Sequence, residues 1–244
     1  MPCVVEMKDV SYMAQNHLLT DSFSYRFEEG ITTALIGPSG CGKSTVLKLA
    51  AGLIIPSAGE VLFRGVDIAR MSRAENLAFR REGAVVFQDS ALWANQSLAQ
   101  ILELPLRVHF PGMTKSERQK RIESVVGEVG YKKDLGIRPA QLSMGEQKLL
   151  AFARALMCDP RLLYLDEWTE SLDENASRRL IDMVRKLRDD GVTIILVSHD
   201  IRIIRDLADI VVMIEGGRII LKLTREQIAK DDDLSRYVEN GITS

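Results

Sequence analysis

One nine-residue run, GPSGCGKST from Gly37 to Thr45, constrains this chain more than any other feature. A short, nearly all-apolar strand, Ile31 to Ile36, is expected before it, and Val46, Leu47, Leu49 and Ala50 follow at helical spacing. A glycine-rich turn between a buried strand and a helix is the phosphate-cradling loop of P-loop proteins. Its glycines let main-chain N–H groups surround phosphate oxygens, and the helix start adds partial positive charge. Gly37, Pro38, Ser39, Gly40, Cys41, Gly42, Lys43, Ser44 and Thr45 are therefore candidate nucleotide-binding residues. Lys43 is placed to bridge the β- and γ-phosphates, and Ser44 to ligate Mg²⁺. Cys41 is read as tolerating the loop geometry without doing chemistry.

A nucleotide site needs a second half. The run Leu162-Leu163-Tyr164-Leu165-Asp166-Glu167 is an apolar strand ending in two carboxylates. Asp166 at such a strand end can reach the metal held by the phosphate loop. Glu167 is then the natural base to orient and polarise an attacking water. Gln88 follows Val85-Val86-Phe87, and His199 follows the strand Val192 to Val197. Polar groups at several strand ends fit the usual ligand position of open α/β sheets.

The rest of the chain reads as alternating strands and helices around that site. Phe23, Tyr25 and Phe27 alternate with polar neighbours, and Gly59 to Arg64 offers a further strand. The stretch from about Asp89 to Met157 reads as helices. Thr114 and Glu117 form a capping box, Ile122, Val125, Val126 and Val129 an apolar face, and Gly130 a stop. After Arg161 strand and helix alternate again, with Asp173 as a cap, a hairpin at Gly216-Gly217 and a C-terminal helical start at Thr224 to Gln227. This order implies a mainly parallel α/β sheet with a helical insertion.

Composition narrows the setting. The 32 basic and 34 acidic residues leave a net charge of −2, so no general electrostatic grip on nucleic acid is expected. No apolar run approaches the roughly 20 residues that span a bilayer, so any service to a membrane would run through partners. Three cysteines, Cys3, Cys41 and Cys158, lack paired spacing and suit a reducing cytoplasm. Cys158 is read as a small buried residue on a helix.

The ordered set GPSGCGKST, Gln88, LSMGEQ from Leu142, LLYLDE ending at Glu167, SLD at Ser171 to Asp173, and His199 resembles the ABC ATP-binding cassette family over nearly the whole chain. The run Ala153-Arg154-Ala155-Leu156 also matches. The resemblance implies a P-loop NTPase (RecA-like) core with an N-terminal antiparallel β subdomain and an inserted helical subdomain. One cassette would then occupy residues 1–244, with 1–88 and 158–244 as the core and 89–157 as the helical part. It implies ATP hydrolysis with Mg²⁺ held by Ser44, Gln88 and Asp166, and catalysis by Glu167, His199 and Lys43. A second copy would associate head to tail, contributing Ser143, Gly145 and Asp173 in trans. Integral membrane permease subunits would be the further partners, placing the chain on the cytoplasmic face of the plasma membrane.

The sequence departs from the family pattern at Met144, Trp168 and Glu170, and Ala14 stands where an adenine-stacking aromatic is usual; Tyr12 is the candidate replacement. Within the family, Phe87 to Trp93, Leu104-Pro105-Leu106-Arg107 and Ala69 to Arg73 resemble the Mla/Mce-type lipid-transport ATPases. Importers of other small solutes and a soluble, non-transport ATPase of the same family are the alternatives.

Overall fold

The structure, a computed structural model, describes residues 2–230. Two sheets organise it. Strands β1 (Cys3–Ala14), β2 (His17–Glu28), β4 (Ala58–Phe63) and β5 (Val66–Asp67) form an antiparallel sheet in the order β2-β1-β4-β5. Strands β3 (Thr32–Ile36), β6 (Gly83–Val86), β7 (Leu162–Asp166), β8 (Thr193–Val197), β9 (Ile210–Glu215) and β10 (Arg218–Thr224) form the second, in the order β10-β9-β3-β8-β7-β6. Only β10 pairs antiparallel there. Every residue of β3, β7 and β8 is buried, as expected for strands covered on both faces.

The helices are α1 (Lys43–Ala50), α2 (Arg73–Glu82), α3 (Leu98–His109), α4 (Lys115–Val129), α5 (Met144–Leu156), α6 (Glu174–Asp189), α7 (Ile201–Leu207) and α8 (Arg225–Lys230). Their starts are chemically explicit. Ser72 with Glu75, Ser97 with Gln100, Thr114 with Glu117, and Ser143 with Glu146 are reciprocal capping boxes. Each satisfies two of the four N–H groups that a helix start leaves unpaired. Gly130 ends α4 in the left-handed conformation, at φ 80°.

Two apolar clusters hold the layers together. One joins α3, α4 and α5, through Leu98, Leu102, Ile122, Val125, Phe152 and Ala155, to one face of the large sheet. The other packs the antiparallel sheet, through Val5, Phe23 and Phe27, against α1 and the opposite face. The Tyr164 hydroxyl donates to the Ala50 carbonyl at 2.9 Å, tying β7 to the end of α1. The Asp21 N–H donates to the Gly217 carbonyl, and Arg218 pairs with Asp21, joining β2 to the β9–β10 turn.

Several expectations need correction. Helix α2 falls in a stretch for which no helix was expected. Cys158 lies in the turn after α5 and is half-buried rather than a buried helical residue. Burial still pushes its thiol up to about 11. The C-terminal helix forms with Gln227 accepting from the Thr224 N–H, but the segment beyond Lys230 lies outside the described residues. No helix among the described residues is long and apolar enough to cross a membrane.

Candidate active site

Parallel strands in the order β3-β8-β7-β6 end at the same edge of the sheet, so their following residues share one neighbourhood. There they border a cleft of about 1010 Å³ lined by Ser39, Lys43, Ser44, Gln88, Glu167 and His199, among others.

The phosphate loop follows β3. Gly37 has φ 139°, and a Cβ there would come 2.1 Å from the Ile214 carbonyl oxygen of β9, so only glycine lets the loop leave the sheet at this point. Lys43 is buried, and its ammonium donates to the Gly37 and Pro38 carbonyls at 2.8 and 2.9 Å. Ser39 and Gly40 are exposed at the cleft, whereas Cys41 and Gly42 are buried beneath the loop. Burial raises the Cys41 thiol's pKa, which disfavours the reactive thiolate. Pro38 and Thr45 are half-buried.

Asp166 ends β7 and is 3% exposed. Its Oδ1 accepts from the Ser44 hydroxyl at 2.8 Å, which sets two hard oxygen donors side by side at the base of the cleft. A hydroxyl and a carboxylate at this spacing are a donor set that suits Mg²⁺. Glu167 follows in the left-handed conformation, at φ 45°. Its Oε1 lies 3.2 Å from His199 Nε2 and has no hydrogen-bond partner within the described residues. Burial, and next the neighbouring Asp166 carboxylate, push Glu167 up to about 7, while the His199 main-chain N–H pulls it down. Burial and the Lys43 ammonium lower His199. A carboxyl tuned to the neutral range beside a neutral imidazole is a usable acid–base pair.

Gln88 is exposed, and its amide donates to Glu170 Oε2 at 3.0 Å. The unusual Glu170 thus has a definite contact. Trp168 is fully buried in the main cluster, its Nε1 without a partner, so the aromatic at this position fills core volume.

The remaining candidates do not themselves line the cleft, although Leu172 and Glu174 on either side of Asp173 do. Ser143 and Gly145 open α5. The Ser143 hydroxyl donates to Glu146 Oε2 at 3.1 Å and accepts from the Glu146 N–H, and the other Glu146 oxygen pairs with Lys133. A Cβ on Gly145 would come 3.2 Å from the Ser171 carbonyl oxygen, so the glycine permits close packing on the segment before Asp173. Met144 is 69% exposed, so most of its side chain faces solvent. Asp173 caps α6 by accepting from the Ala176 N–H at 2.9 Å. Tyr12 is half-buried, packs on the cluster beneath the antiparallel sheet and does not line the cleft.

Sequence reasoning passed over Lys148. It is 3% exposed on α5, and its ammonium donates to the carbonyls of Phe87, Gln88 and Glu167. The signal was present: Lys148 shares one helical face with Ala151, Phe152 and Ala155.

A phosphate loop, an acid beside its serine and a neutral-range carboxyl at the next residue define a P-loop ATPase site. The family described as ABC transporter matches residues 20–170, and the chain belongs to that family as an ATP-binding cassette. It is 36% identical over 192 residues to the methionine import ATP-binding protein MetN 1 of Rhodococcus jostii (strain RHA1), covering 78% of this chain and 56% of that protein. It is 34% identical over 233 residues to the nickel import ATP-binding protein NikE of Escherichia coli O157:H7, covering 93% of this chain and 87% of the relative. Its fold is similar to the dimeric, ADP- and phosphate-bound cassette MJ0796, with TM-score 0.84, 28% identity and coverage of 91% and 98%. It is also similar to CbiO1 of Clostridium perfringens, part of the CbiONQ transporter complex, with TM-score 0.77, 26% identity and coverage of 98% and 95%. The expected fold class and ATPase class therefore hold, and the chain is an ATPase subunit of the transporter kind.

Proposed function

We propose that this cassette powers a membrane importer of a small solute, through ATP-driven closure of a head-to-tail dimer of two copies. The observation that carries the reading is the division of labour within one chain. The cleft holds the phosphate loop, Asp166, Glu167, Gln88 and His199, while Ser143 stands exposed at the start of another helix, outside that cleft. A site so divided is completed when the α5 start of one copy faces the cleft of the other.

In this reading Lys43 exchanges its loop carbonyls for β- and γ-phosphate oxygens. Mg²⁺, held by Ser44 and Asp166 with Gln88 approaching from β6, offsets phosphate charge. Glu167 orients the attacking water, and His199 keeps the γ-phosphate in line. Ser143 and the Gly145 N–H take the γ-phosphate from across the interface, at a helix N-terminus. Asp173 lies beside that contact in the segment joining the two sites. Closure is a population shift supported by contacts that ADP cannot make. Permease subunits would dock on the groove of about 740 Å³ whose lining includes Leu49, Ile55, Met71, Leu77 and Val108, and would hold the cassette at the cytoplasmic face of the membrane. The named relatives import methionine and nickel, which favours a small-solute importer over the lipid reading drawn from Phe87 to Trp93.

Light scattering on Glu167→Gln with and without Mg-ATP tests the reading. A monomer-to-dimer shift that Ser143→Arg abolishes is expected. A chain that stays monomeric with Mg-ATP, together with a wild type that turns over no ATP, would refute it.

A further inference from the structure

Among the described residues, the catalytic reading leaves the buried charge of Lys148 unused. Lys148 is 3% exposed, and burial lowers its pKa, opposed by the nearby carboxylates of Glu170, Asp166, Asp89 and Glu167. An ammonium is not retained in such a place without compensation. Its compensation is specific. The Nζ donates to the Phe87 carbonyl at 3.3 Å, to that of Gln88, and to the Glu167 carbonyl at 3.1 Å. Three tetrahedral donors on α5 thus reach three main-chain acceptors on two other segments, one just past β6 and one just past β7.

Both segments carry reacting groups on the same residues. Glu167 is pinned on every main-chain side: its N–H donates to the Val197 carbonyl at 3.1 Å, and its carbonyl accepts from Lys148 and from the Glu170 N–H. Its left-handed φ of 45° is a strained setting for a residue with a Cβ, held by those contacts. Gln88 is bound on two sides, by Lys148 at its carbonyl and by Glu170 at its amide. Lys148 lies five residues after Ser143, about 7.5 Å along one rigid helix.

We propose that Lys148 is a positioning residue. It couples the exposed start of α5 to Gln88 and Glu167 of the same subunit, so that Ser143's capture of the nucleotide bound by the other copy sets the hydrolytic carboxylate of its own site. The inference rests on the composite-site reading above. It adds a direction of communication: the α5 that completes one site trims the geometry of the other. A helix that moves by a fraction of an ångström moves both strand ends with it, because the ammonium has no slack among three acceptors.

Steady-state ATP hydrolysis by the full chain tests this, with Lys148→Met and Lys148→Arg beside the wild type. Methionine keeps the stem and removes the donors. We expect kcat to fall about 10- to 100-fold in Lys148→Met, the scale of a misplaced reacting group. KM for ATP should stay within about threefold, because the phosphate loop is untouched. The Hill coefficient for ATP should fall towards one. Lys148→Arg, which keeps charge and donors, should retain cooperativity and recover much of kcat. Wild-type kcat and Hill coefficient in Lys148→Met would overturn the proposal. So would a kcat loss that only tracks the loss of nucleotide-binding-competent protein with cooperativity intact, or an active wild type with a Hill coefficient of one. A wild type that turns over no ATP would instead overturn the function on which the proposal rests.

Discussion

Replacing Glu167 with glutamine should stabilise the nucleotide-free, metal-free protein, and only above mildly acidic pH. The carboxyl is held up from 4.5 to about 7, first by burial and then by Asp166. Below 4.5 both folded and unfolded chains carry the proton, so the folded state bears no penalty. Between 4.5 and 7 the folded state binds more protons than the unfolded one, and stability falls as pH rises. Above 7 the full penalty is present. A shift of this size corresponds to ~3 kcal/mol at most. Relaxation and partial access of water to the cleft reduce that to roughly 1–2 kcal/mol. Glutamine has the same shape and no charge to desolvate. Thermal melts in chelator should therefore show Glu167→Gln melting about 3–6 °C above the wild type at pH 8, for a chain of this size. At pH 5 most of the difference should vanish. An equal offset at both pH values, or a less stable glutamine variant at pH 8, would refute the argument that burial and Asp166 set this carboxyl.

Two further expectations follow from packing and backbone geometry. Trp168→Ala removes a fully buried indole from the main cluster and should cost about 3–5 kcal/mol in urea unfolding; a loss under about 1 kcal/mol would mean the site collapses around the gap. Gly37→Ala sets a Cβ against the Ile214 carbonyl and should weaken binding of a fluorescent ATP analogue about tenfold or more, whereas Gly40→Ala, with open space around it, should weaken it less; equal effects would argue against the steric account.

The phosphate loop, Asp166, Glu167, Gln88 and His199 were readable because each lies at the end of an apolar strand or within two residues of it, and strand order then brings them together. The boundaries of β3, β7 and β8 came within a residue or two for the same reason. Helix α2 was missed although Ser72 and Glu75 spell its cap, because only Phe79 of its residues is buried, leaving almost no apolar stripe to read. Lys148 was missed because a lysine in a helix is ordinarily solvated, and its three acceptors come from segments 19 to 61 residues away. Trp168 as core filler was equally hidden, since nothing local in the sequence says which way a residue after a strand end will point.

On the proposed reading, the cap of α5 bears on how tightly two copies would hold a nucleotide. The Ser143 hydroxyl and N–H are already engaged by the Glu146 carboxylate, which Lys133 also holds. On the proposed reading, an arriving γ-phosphate displaces one resident anion and does not meet a bare helix terminus. The start of α5 would then act as an anion exchanger: it meets negative charge in both the open and the closed state, and what Ser143 adds to closure is the difference between two anions. Such an exchange keeps the grip modest, so the loss of a single phosphate is enough to let the copies part.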